Sequence, residues 1–163
     1  MLFIRAFYHS LIDAIQGLPY LPGWEKDIYP APDVLQTEIG EGNFYFLRDQ
    51  DRIASGMVVN QKCNEEYRNA KWPEDLKQEQ FMVIHMLGVH PDFSGIGFAK
   101  EMVRYALKIA KDAGMKAMRL DVLKGNVPAE KLYINLGFSY VDSIPMFYED
   151  TGWTEFELYE IKL

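Results

Sequence analysis

The sequence predicts an α/β (α+β) fold, a mixed sheet with helices packed on it, and three observations carry that reading. Segments rich in β-formers cluster early and then alternate with helical segments, the order expected of layered sheet and helix. One of them, "FMVIHMLGV", is almost continuously apolar, as a strand buried on both faces should be. The 163 residues suffice for one core and are too few for two, so residues 1–163 are read as a single domain.

The elements follow in order. Apolar residues at helical spacing predict an amphipathic helix over residues 3–16, and the Pro- and Gly-rich "GLPYLPGWEKDIYPAPD" after it is loop. "DVLQTEIGEG" predicts a short helix ended by glycine. "NFYFLR" and "RIASGMVVNQ" form a hairpin, with Gly56 marking a bulge or a close backbone approach. "KCNEEYRNAKWPEDLKQEQ" is polar and is read as a surface insertion with a helical turn at most. After the buried strand, "FAKEMVRYALKIAKDAG" gathers Ala99, Met102, Val103, Ala106 and Ile109 on one helical face, with Gly114 placed to end it. "KAMRLDVL" is a strand, "VPAEKLYINLG" a short helix between Pro128 and Gly137, and "SYVDSI" and "TEFELYEIKL" close the sheet.

Composition removes several function classes. A net charge of −7, from 24 acidic and 17 basic residues, leaves no basic footprint for nucleic acid. The same field suits a small cationic substrate, although acidic charge also serves solubility alone. The single Cys63 excludes an internal disulfide framework and fits a reducing compartment. No stretch reads as a signal peptide or is apolar enough to cross a bilayer, so a cytoplasmic protein without membrane partners is expected.

The joint "VHPDFSGIGFAK", between the buried strand and its helix, raises the question of a phosphate. Gly95 and Gly97 supply two glycines of a dinucleotide fingerprint, and Asp121 stands where a ribose-binding acid could. The third glycine position is Lys100, however, and too little chain remains to complete such a fold. No G-K-[ST] follows, which excludes a nucleoside triphosphate loop. What the small residues at 95, 97 and 99 do permit is a turn whose backbone N–H groups, those of Ile96 and Phe98 included, converge at a helix N-terminus. Such groups and the helix dipole hold a pyrophosphate without a protein cation.

"V-H-P-D-F-S-G-I-G-F-A" followed by "N-V-P-A-E-K-L-Y-I-N-L-G-F" resembles the two cofactor motifs of the GNAT superfamily of N-acetyltransferases. Gly97 and Ala99 fill the small positions of the first, with Ser94 where Gln or Arg is usual. Asn126, Ala129, Tyr133, Gly137 and Phe138 meet the second, and the resemblance runs over residues 43–138. It implies a mostly antiparallel sheet splayed at a cofactor cleft, acetyl-CoA as donor with no metal, and direct acetyl transfer to an amine. The family normally opens with a strand, which here is missing or absorbed into the first helix.

The resemblance also implies roles. The turn from Ser94 to Ala99 would hold the pyrophosphate; backbone groups of Leu87 and Val89, around Gly88, would meet pantetheine and the oxyanion. Tyr133 matches the general acid near the sulfur, and is otherwise a packing residue. Asn126 either contacts the cofactor or merely caps a helix. The usual basic Glu is replaced by Val83; two residues on, sharing a strand face with Leu87, His85 could accept a proton near neutrality, or could be a core histidine. His90 is read as structural and His9 as lacking a partner. Tyr20, Trp24, Tyr29, Phe147, Tyr148 and Trp153, with Glu149 or Asp150, could wall a pocket for a small amine or an amino-acid-like acceptor. A peptide acetyltransferase, a non-catalytic acyl-CoA sensor and a purely structural domain are the alternatives, and a homodimer is left open.

Overall fold

The computed structural model describes all residues, 1–163. The chain opens directly with helix α1 (Leu2–Ile15), followed by α2 (Pro32–Gly40), β1 (Phe44–Asp49), β2 (Arg52–Asn60) and β3 (Phe81–Val89). Then come α3 (Phe98–Asp112), β4 (Ala117–Leu123), α4 (Val127–Asn135), β5 (Ser139–Tyr148) and β6 (Gly152–Lys162). The sheet takes no strand from before α2, and Phe3–Ala6 lie within α1. The final hairpin is longer than "SYVDSI" suggested; Pro145 is tolerated because β5 is the edge strand.

The six strands form one open sheet in the order β1-β2-β3-β4-β6-β5. Every neighbouring pair is antiparallel except β3 and β4, whose parallel pairing covers only Phe81–Val83 against Ala117–Arg119. Beyond Val83 the two central strands part. That split is the feature around which the site is built.

Helix α3 lays Met102, Val103, Ala106 and Ala110 on one face of the sheet, against Met57, Ile84, Met118 and Leu120. Ala110 rather than Ile109 completes the buried stripe, because the helical repeat carries the stripe around to it. Gly114, at φ +72°, ends the helix as expected. On the other face α1 buries Phe7, Tyr8 and Leu11 with Leu35 of α2 against Val58 and Met86. Gly56 meets the close-approach reading, whereas the bulge beside it has its extra residue on β3 rather than at Gly56. The β2–β3 register shifts beside it, and a Cβ there would lie 2.9 Å from the Phe44 ring.

The insertion between β2 and β3 corrects one expectation. It is not simply surface: Tyr67 and Leu76 are buried with Phe81, Val83 and Leu158 in a third cluster. Trp72 and Phe81 sandwich the Arg119 guanidinium at 4.0 and 4.2 Å, and Arg119 pairs with Glu160 at 2.7 Å. The polar composition concealed a few large anchors among many solvated side chains.

Candidate active site

The split in the sheet is sharpened by a bulge. Met86 and Leu87 of β3 together oppose the single Met57 of β2, and Met86 takes φ +55°, an uncommon value for a residue with a side chain. Tyr8 Oη donates to the Met86 carbonyl at 2.7 Å and holds the kink. The extra residue reverses the facing of all that follows. Leu87 returns to the α3 side with Ile84, so His85 and Leu87 do not share a face as strict alternation required.

Past the bulge, His90 N–H donates to Ala54 O at 2.9 Å and Gly56 stands opposite Gly88. Antiparallel alternation then turns the N–H and C=O of Leu87 and Val89 away from β2 and into the gap. Gly88 is required: a Cβ there would sit 2.5 Å from Leu11 and 3.0 Å from Trp24. Beyond the strand, Gly95 and Gly97 take φ +77° and +101°, Gly97 as the N-cap of α3. The N–H groups of Gly95, Ile96, Gly97, Phe98 and Ala99 donate to no backbone carbonyl. Ser94 is exposed at the start of this turn.

A cavity of about 90 Å³ fills the gap between the parted strands. His85, Met86 and Leu87 line it from β3, Asp121 and Val122 from β4, and Asn126, Ala129 and Tyr133 from α4 and its start. Its outer wall is Trp24 and Tyr29 from the loop after α1, with Tyr148, Asp150 and Thr151 from the β5–β6 hairpin. The Tyr133 ring is buried, and burial together with the Asp121 charge raises its hydroxyl pKa well above the ordinary phenol range. Asn126 is the N-cap residue of α4 but makes no capping bond with its side chain, which leaves the amide free.

His85 is differently placed from its expectation. Its Nε2 lies 3.0 Å from both Asn60 Oδ1 and Lys62 O, two acceptors, so the proton sits on Nε2 and the lone pair on Nδ1. Burial pulls its pKa down to about 4, not near neutrality. Val83 is fully buried in the third cluster. His90 is structural, bonded to Ser10 Oγ at 3.1 Å and accepting from Asp92 N–H at 3.3 Å. His9 does have a partner: with Arg5 it clasps Asp27 of the loop, at 2.8 Å.

Of the aromatics expected at a pocket, Trp24, Tyr29 and Tyr148 line it, whereas Tyr20, Phe147 and Trp153 face solvent. Asp150 lines it and Glu149 does not. Sequence reasoning missed what Asp121 does here. It receives hydrogen bonds from Tyr67 (2.7 Å) and Tyr148 (3.1 Å), and burial raises its pKa. The signal was available: a carboxylate within the apolar strand "MRLDVL" needs a partner or a purpose.

Residues 9–138 match the Acetyltransferase (GNAT) family. The chain belongs to that family. It is an N-acetyltransferase by membership, and three solved structures share its fold. An N-acetyltransferase of Staphylococcus aureus Mu50 is 15% identical with a TM-score of 0.70, covering 98% of this chain and 90% of its own. A ribosomal-protein-alanine N-acetyltransferase of Brucella melitensis is 12% identical, TM-score 0.68, with coverage of 98% and 92%. A protein of Salmonella typhimurium assigned as an acetyltransferase, solved with its cofactor acetyl-CoA, is 14% identical, TM-score 0.67, with coverage of 98% and 86%. No curated protein sequence matches this acetyltransferase.

The residues present fit acetyl-CoA, the family's donor. Unpaired N–H groups at the α3 turn suit a pyrophosphate, and a peptide edge turned into the gap suits an amide-bearing arm. Bound there, the donor supplies an activated acetyl thioester. None of the helices is long and apolar enough to cross a membrane.

Proposed function

We propose that this acetyltransferase transfers acetyl directly from acetyl-CoA to the primary amine of a small molecule, residues 1–163 acting as one domain. The observation that carries the reading is the cavity in the sheet split. It joins the backbone edge of Leu87 to Tyr133 and Asn126, and its aromatic and acidic side-chain walls favour a small acceptor. In this reading Ser94, Gly95, Ile96, Gly97, Phe98 and Ala99 hold the pyrophosphate through N–H groups and the Ser94 hydroxyl. Leu87 and Val89 hold the pantetheine arm, and Leu87 N–H faces the acetyl oxygen. Asn126 orients the arm from α4.

Tyr133, kept protonated by its raised pKa, delivers a proton at its hydroxyl to the departing sulfur. His85 lines the cavity and is assigned the amine proton at Nδ1; its depressed pKa keeps the ring neutral but makes it a weak base. A second assignment of that proton, to Asp121, is supported by the raised pKa of its carboxyl and by its electrostatic coupling to Tyr133. No Cys lines the cavity, so direct transfer is favoured over an acyl-cysteine relay.

The test is a screen of amines, amino acids and short peptides with acetyl-CoA, reading free thiol. Thiol release with a small amine supports the proposal. Release with peptides alone would move the acceptor to the protein class, and cofactor binding without release would mark a sensor.

A further inference from the structure

We propose, resting on the small-amine reading above, that the cavity selects an alkylammonium acceptor that carries no carboxylate. The charged side chains that line the cavity are of one sign. Asp121 from β4 and Asp150 from the hairpin line the cavity, and no lysine or arginine does. Asp150 Oδ1 is sealed from solvent and has no hydrogen-bond donor. Nearby cations are committed elsewhere: Lys62 Nζ is 2.8 Å from both Glu38 and Glu41, and Arg119 Nε is 2.7 Å from Glu160.

The apolar walls agree with a cation. Tyr29 stands 5.5 Å from Tyr148, which stands 4.9 Å from Phe156, with Trp24 beyond Tyr29, so aromatic rings, whose faces are electron-rich, line the cavity along with the carboxylates. An ammonium gains from both the rings and the carboxylates. Asp121, already holding two tyrosine hydroxyls, has acceptor capacity left for one N–H donor. The carboxylate of an α-amino acid would find no cation and no N–H cluster on this side, and would share the cavity with Asp121 and Asp150. Its cost is that of a buried unpaired charge.

The test uses matched pairs that differ only by a carboxylate: isopentylamine with leucine, phenethylamine with phenylalanine, putrescine with ornithine. Thiol release with the whole chain and acetyl-CoA should favour each amine by about 100-fold in kcat/KM, the penalty of stranding one buried charge. Calorimetry should show the same ranking without turnover. Asp121→Asn keeps an oxygen for Tyr67 and Tyr148 and should lower amine affinity and shrink the discrimination to about tenfold or less. Asp150→Asn, on the hairpin wall, should shrink it in the same direction, and serves if the Asp121 variant fails to fold. If amino acids are acetylated as well as their amines, this inference falls and the small-amine reading stands. If neither member of any pair is acetylated and peptides are, both fall together.

Discussion

The two arms of the split sheet offer a ligand different chemistry. Along β3 and the α3 turn the functional groups are main-chain N–H and C=O, exposed by a bulge, by Gly88 and by two glycines of positive φ. Along β4, α4, the loop after α1 and the β5–β6 hairpin they are side chains: Asp121, Tyr133, Tyr29 and Asp150. Backbone recognition needs only that side chains be small or absent, so Ser94 can replace a larger residue without moving the site. Side-chain recognition depends on which residues four distant segments bring together, and a single substitution redefines it. In the proposed function the donor half is thus set by geometry and the acceptor half by identity.

The difference is tested most severely at Tyr133, where the acceptor arm meets the chemistry. Tyr133→Phe keeps the ring and its packing on Phe138 (5.5 Å between centroids) and removes the proton. The rate should drop by about 10²–10⁴ with cofactor affinity unchanged in calorimetry. Full activity would reduce Tyr133 to packing. On the donor arm, Gly97→Val forces a β-branched residue to φ +101°, yet its Cβ would meet nothing within 4 Å. The fold should survive while acetyl-CoA affinity falls by about 100-fold, since strain of order 2 kcal/mol is relieved by re-aiming the N–H groups. Unchanged affinity would remove the phosphate from this turn.

The same contrast explains what could be read from residues alone. The element order, the α3 turn and the Asn126–Tyr133 spacing are local in sequence and were legible, as was a close approach at Gly56. The facing of His85 was not. One extra residue at Met86 inverts alternation, and no composition signal marks a non-glycine residue of positive φ. The acceptor wall was half legible: aromatics were abundant, but whether Trp24 or Trp153 turns inward depends on packing across the sheet. Trp24 is fixed by Gly88 and Tyr8, whereas Trp153 stacks on Phe147 in solvent.

His85 offers a smaller effect with a definite sign. Its folded pKa, about 4, lies below the unfolded value near 6.5, so the neutral ring stabilises the fold above that value. That contribution is lost as pH falls from about 6.5 toward 4. Thermal stability should therefore decline over that window in the wild type and decline less in His85→Gln. Between pH 5.5 and 8 the rate should carry no limb that His85→Gln removes. A limb near neutrality that disappears in that variant would contradict the tautomer and the burial described here. Smaller still, Ser94→Arg should tighten acetyl-CoA by about fivefold, on the order of 1 kcal/mol for an exposed charge-assisted bond. Weaker binding would show that the turn has no room for a side chain at the phosphate.

The central claim is that a backbone-built donor arm and a side-chain-built acceptor arm open on one cleft and act when both are occupied. The measurement that tests it most directly is initial velocity with acetyl-CoA and a primary alkylamine varied together. Transfer within one cleft is expected to give double-reciprocal lines that intersect. Parallel lines, the mark of an acetylated enzyme formed and emptied in turn, would contradict the account.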